Sequence, residues 1–160
     1  MSTSDIDRRD FVVTGLAAGA AVGVLAATSG CSQATSMQVA AAGEGRLTLH
    51  AIDTYYGQTR EGLIIDLSRL EGGEYKLIKS VETVKRGRTA EPLLEGKDVK
   101  VGRYELLMHL DDYFAHHKAD LPTPQFLSTV AIRFGLYDAN QKFHVPILFS
   151  PWSYSYYRGS

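Results

Sequence analysis

From Arg46 onward, apolar and polar residues alternate with a period near two, the spacing of a strand with one buried face. In RLTLHAID (46–53), Leu47, Leu49 and Ala51 fall on one face, and Thr48, His50 and Ile52 on the other. GLIIDLSRL (62–70), YKLIKSVETV (75–84), VGRYELLMHL (101–110), STVAIRFGLY (128–137) and FHVPILFS (143–150) are also strand-like. They are rich in the β-branched, aliphatic and aromatic side chains that suit a pleated surface. Turn chemistry separates them: Tyr56-Gly57, EGGE, KRGRT, EGKD and DANQ. LDDYFAHHKAD (110–120) breaks the alternation with good helix formers and is closed by Pro122, which predicts one short helix. The tyrosine-rich end, SPWSYSYYRGS (150–160), reads as a short final strand.

About seven or eight short strands with one helical turn predict an all-β sandwich. Pro146 removes a ladder donor from its strand. Residues 143–149 are therefore expected at a sheet edge, or bulged at Pro146. A long apolar edge invites pairing with another chain, so oligomerisation through 143–149 is expected.

The first forty residues follow a different pattern. A polar leader ends in Arg8-Arg9, and an Ala/Gly/Val-rich run of 16 residues follows from Val12 to Ala27. Charge, an apolar stretch and then small residues form the layout of a secretory signal. The run is shorter than the roughly 20 residues that span a bilayer. DRRDFV is similar to the twin-arginine export signal. Two processing sites compete: TSGC, a degraded lipobox that would make Cys31 a lipid-bearing N-terminus, and VAAAG at 39–43 for ordinary cleavage. The expected division is an export signal and spacer over 1–42 and one domain over 46–160, placed in the periplasm. The membrane enters only through a lipid anchor on Cys31.

The length of 160 residues suits one domain. Lys and Arg total 17 against 18 Asp and Glu, a balance with no electrostatic footprint for nucleic acid. The single cysteine excludes an intrachain disulfide. No Cys/His cluster has zinc spacing. Neither a metal nor another cofactor is expected.

Five histidines carry most of the candidate chemistry. His109 ends a strand beside Asp111 and Asp112, and His116 and His117 sit in the helical segment. Asp112 and His116 are four apart, on one helical face, but lack a third metal ligand. His50 lies mid-strand beside Thr48 and Ile52, and His144 alternates with Pro146 and Leu148. Arg88 lies in the Gly-Arg-Thr turn.

LTLHAIDTYYGQTREGLIIDL, GRTAEPLL and FHVPILFSPWSYSYYRGS, in that order, resemble the 5-hydroxyisourate hydrolases, the transthyretin-related enzymes of urate breakdown. The likeness runs from Arg46 to Ser160. It implies a prealbumin-like sandwich of two four-stranded sheets and a homotetramer, with sites in a channel between dimers. It also implies hydrolysis of a small ureide without metal or cofactor. Catalytic roles would fall on His50, Arg88, His144 and Ser160, and substrate binding on Tyr157 and Arg158. Either histidine could be the general base. The chain departs from the family at Lys85-Arg86-Gly87, where Asp or Asn commonly precedes the glycine. The same fold hosts transthyretin, a non-catalytic carrier, so a periplasmic binding protein is the competing reading.

Overall fold

The computed structural model describes residues 44–159. The expected export leader, with Cys31, and Ser160 lie outside the described residues. The strands are β1 (Arg46–Asp53), β2 (Ile64–Glu71), β3 (Glu74–Val84), β4 (Arg88–Thr89) and β5 (Leu94–Glu95). They continue with β6 (Gly102–His109), β7 (Thr129–Leu136), β8 (Lys142–Phe149) and β9 (Tyr154–Tyr156). One helix, α1 (Leu110–His116), lies between β6 and β7. The alternation predicts the six long strands to within two residues at each end.

Two sheets face each other, in the orders β5-β1-β8-β9 and β4-β3-β2-β6-β7. The expected pair of four-stranded sheets is met, with the two-residue β4 added as a fifth strand on the second. The core follows from the period of two. Leu47, Leu49 and Ala51 of β1 and Phe143, Val145, Ile147 and Phe149 of β8 point inward. They meet Ile65 and Leu67 of β2, Leu106 and Met108 of β6, and Val130 and Ile132 of β7. Each fully buried aliphatic or aromatic chain contributes about 1.5–3 kcal/mol. Leu49 is 1% exposed and Phe149 is 2% exposed. The register of β1 and β8 is therefore fixed, because a one-residue slip would turn these side chains into water.

The parallel pairing of β1 with β8 sets Thr48 opposite His144 and His50 opposite Pro146. Inward burial of the odd-numbered residues puts these four on the outer face of the sheet. The chain also binds Asp53 into the sandwich. Its carboxylate accepts the Tyr55 and Tyr56 N–H groups at 2.8 and 3.0 Å and the Tyr113 hydroxyl at 2.9 Å. Asp53 thereby fastens the end of β1 to α1 and takes no part on the outer face.

One expectation is corrected. The strand at 143–149 is neither a sheet edge nor bulged, since β8 lies between β1 and β9. Ile147 pairs with Tyr156, and His144 bridges to Gly159, so Pro146 stands opposite Tyr157. Tyr157 donates its N–H to the Pro146 carbonyl at 3.3 Å, and the proline has no N–H to return. The missing donor thus falls on the β9 side, where the regular ladder is interrupted. The chain's own C-terminal segment covers the apolar edge, and β9 becomes the outer strand of this sheet.

Candidate active site

His50 and His144 stand on adjacent strands with ring centroids 6.5 Å apart and planes tilted by 31°. The turn between β3 and β4 brings Arg88 to them. Thr83 and Val84 of β3 pair with Thr89 and Arg88, which anchors both ends of the turn. The Thr83 hydroxyl, itself buried, accepts the Leu63 N–H at 2.9 Å and ties the turn's base to β2.

The tip of this turn depends on Gly87. Its φ is +63°, and a Cβ there would overlap the Ala51 carbonyl of β1. Only glycine allows both the left-handed backbone and that close approach. Arg86 also has a φ of 63°, a conformation that costs a non-glycine residue roughly 1–2 kcal/mol. The turn is held against β1 in spite of this, one residue from His50.

Burial and the charge of the Arg88 guanidinium both hold the His50 pKa below its ordinary 6.5, and a hydrogen bond with the Arg86 backbone opposes them. The same two causes, burial first and then Arg88, lower His144, with a smaller contribution from His50. Both rings therefore favour the neutral form near pH 7. His50 Nε2 is buried without a hydrogen-bond partner in the protomer. His144 Nδ1 lies 2.9 Å from the Thr48 hydroxyl. Beside the pair, a depression of about 410 Å3 is lined by Arg46, Thr48, Arg88, Lys142, Phe143 and His144. Arg46 is paired with Glu95 at 2.9 Å. Arg88 has no salt-bridge partner among the described residues.

The C-terminal segment approaches the same face. Gly159 donates its N–H to the His144 carbonyl at 2.8 Å. A Cβ on Gly159 would sit 2.9 Å from His144 Cδ2 and 3.2 Å from Pro146 Cγ, so the backbone lies directly against the imidazole. Tyr157, opposite Pro146, shares the outer face with the histidines, and its ring is 58% exposed. Arg158 falls opposite Val145 and is directed away. Within the protomer its guanidinium donates to Gln141 Oε1 at 3.2 Å and lies over the Phe143 and Tyr137 rings. The protomer thus brings His50, His144, Arg88 and Tyr157 to one face and leaves Arg158 off it, and Ser160 is outside the described residues. Thr48 and Gly159 are site residues that the sequence motifs alone do not single out. The alternation of β1 places Thr48 with His50, but nothing local shows that it reaches His144.

The other histidines are engaged elsewhere. His109 Nε2 bonds Asp66 at 2.9 Å rather than either aspartate beside it in sequence. That bond, after one from Ser80, helps hold the Asp66 carboxyl below its usual range. His117 is held at 3.0 Å by the Glu61 carbonyl and at 3.4 Å by Arg60. Among the described residues, no three His, Cys, Asp or Glu side chains converge as a metal site.

An uncharged imidazole pair beside an unpaired guanidinium can take a proton from water and stabilise developing negative charge. Residues 47–159 match the HIUase/Transthyretin family. The chain is 50% identical over 116 residues to 5-hydroxyisourate hydrolase 2 of Rhizobium meliloti, covering 72% of this chain and 97% of that protein. The 5-hydroxyisourate hydrolase of Pseudomonas aeruginosa is 43% identical, covering 72% and 92%. The solved 5-hydroxyisourate hydrolase of Klebsiella pneumoniae superposes with a TM-score of 0.59 at 28% identity, covering 72% of this chain and 99% of that one. An (S)-allantoin synthase superposes with a TM-score of 0.69 at 39% identity, covering 74% of this chain but 44% of that longer one. With its sandwich, its paired histidines and these relatives, the chain belongs to the HIUase/Transthyretin family.

Proposed function

We propose that this chain hydrolyses 5-hydroxyisourate to 2-oxo-4-hydroxy-4-carboxy-5-ureidoimidazoline in urate degradation. The observation that carries the reading is the convergence of two pKa-depressed histidines and Arg88 on one outer sheet face. The substrate is a planar, anion-prone bicyclic ureide whose six-membered ring opens when water attacks a carbonyl. One imidazole takes the water's proton, which typically contributes about 10²–10⁴-fold. The Arg88 guanidinium presents forked N–H donors to the planar carbonyl as it becomes an oxyanion. The second imidazole orients water or substrate. Tyr157 and the Ser160 hydroxyl complete the site by holding substrate edges, whereas Arg158 is engaged by Gln141 within the protomer.

The active assembly is read as a homotetramer. Its support is the family and the exposed aromatic residues Tyr154, Tyr156 and Tyr157 in and beside the outer strand β9. Tyrosine suits such a boundary because its ring packs while its hydroxyl stays paired. The twin-arginine-like leader supports export to the periplasm, with either plain cleavage or a lipid on Cys31.

The test generates 5-hydroxyisourate in situ with urate oxidase, adds the full chain and follows the ultraviolet decay. The expected result is decay much faster than in buffer. Binding of the ureide without faster decay would favour the carrier reading instead.

A further inference from the structure

One of the two site imidazoles is held by a hydroxyl. Thr48 and His144 are direct partners in the parallel β1–β8 register, and their side chains meet at 2.9 Å. The Thr48 hydroxyl has one proton and two acceptors within reach. His144 Nδ1 is at 2.9 Å and the Phe143 carbonyl at 3.4 Å. Hydroxyl hydrogen bonds fall at about 2.5–3.0 Å, so the carbonyl contact contributes little. Accepting from an Nδ1–H would leave the hydroxyl proton with only that long contact. Donating to Nδ1 satisfies it fully.

His50 has no comparable hydroxyl partner: its Nε2 is buried without a hydrogen-bond partner in the protomer.

We propose that Thr48 is a positioning residue that donates to His144 Nδ1 and locks the proton on Nε2, so that His144 is a hydrogen-bond donor of the site. This rests on the hydrolase reading and assigns one histidine its role within it. His144 Nε2–H donates to the developing oxyanion or the leaving nitrogen. The lowered pKa of both rings is consistent with this, since tautomers are distinct only in neutral imidazoles.

The test is a 15N spectrum of the full chain labelled at histidine, at neutral pH, with His50→Gln and His144→Gln spectra for assignment. His144 is expected as the Nε2–H tautomer. Thr48→Val keeps the shape and removes the hydroxyl. It is expected to mix the His144 tautomers and lower kcat by roughly 10–100-fold at unchanged KM, part of what an acid–base group contributes. Thr48→Ser is expected to restore both. A wild-type His144 protonated on Nδ1 would overturn the proposal. So would a Thr48→Val protein whose tautomer and kcat are unchanged, or one that loses only thermal stability. If Thr48→Val does not fold, the wild-type and Thr48→Ser spectra decide. The spectra need no substrate. Expected tautomers in a chain without hydrolase activity would therefore sink the hydrolase reading while leaving the Thr48 bond standing.

Discussion

The five histidines form two groups with opposite fates. His109, His116 and His117 gather around α1. There His109 is paired with Asp66, and His117 has both ring nitrogens engaged by Glu61 and Arg60. His50 and His144 stand on the outer face of β1 and β8, where His50 keeps a buried nitrogen without a partner. Both of these also lie beside a cation rather than a carboxylate. Within the α1 group, His109 and His117 are spent on holding the fold together. The strand pair carries unused hydrogen-bonding capacity and a disfavoured charged state, and both are what proton transfer needs. Number and proximity of histidines therefore say less than what each ring is left free to bond.

Arg88→Ala is expected to cost most. It removes the cation that lowers both rings and the proposed donor for the oxyanion. A fall in kcat of about 10²–10³-fold is expected, the usual loss for one such donor, measured by ultraviolet decay of the substrate. The variant also sharpens the comparison in a second way. With Arg88 gone, the pKa values of His50 and His144 should rise.

Gly159→Ala should come next. The new Cβ meets the His144 ring and Pro146, both backed by packed strand. Displacing the imidazole by a fraction of an ångström is expected to lower kcat by about tenfold or more. The melting temperature should change little, because Gly159 lies beyond β9 and joins the sheet only through its bridge to His144. Unchanged kcat would show that the C-terminal backbone does not set the ring's position.

The pH response separates the groups without mutation. With both site pKa values below 6.5, kcat/KM should stay level as pH falls through 6.5 and decline only at the depressed values. The same shifts set the sign for stability. The unfolded rings bind protons first on acidification, so this contribution is complete above pH 6.5 and is lost as pH falls toward the folded values. A kinetic midpoint above 6.5 would contradict the electrostatic reading.

The smallest effect is expected at Arg86. Asparagine tolerates the left-handed backbone better than arginine does, so Arg86→Asn should stabilise the chain by up to about 1 kcal/mol. Because the substitution leaves Gly87 and Arg88 in place, kcat should change little. Thermal unfolding and the decay assay together check this.

Much of this arrangement could be read from local pattern. The period of two in RLTLHAID puts Thr48 and His50 on one face, and the observed burial alternates accordingly. The Gly-Arg-Thr turn and the terminal strand were legible as short motifs. What escaped depends on partners far apart in sequence. β4 and β5 are two residues each and exist only through pairing with β3 and β1. Pro146 announces a missing donor but not which neighbour will miss it, so its strand read as an edge. Arg158 is adjacent in sequence to Tyr157, yet the β8–β9 register sends the two to opposite faces. The bond from Thr48 to His144 joins residues 96 apart, and no local spacing encodes it.

The contrast between the two histidine groups is tested most directly by His144→Asn and His117→Asn assayed side by side for 5-hydroxyisourate decay. The account predicts a loss of about 10²-fold or more for His144→Asn and near wild-type turnover for His117→Asn, with any change confined to stability. Full activity in His144→Asn, or its loss in a folded His117→Asn, would contradict it.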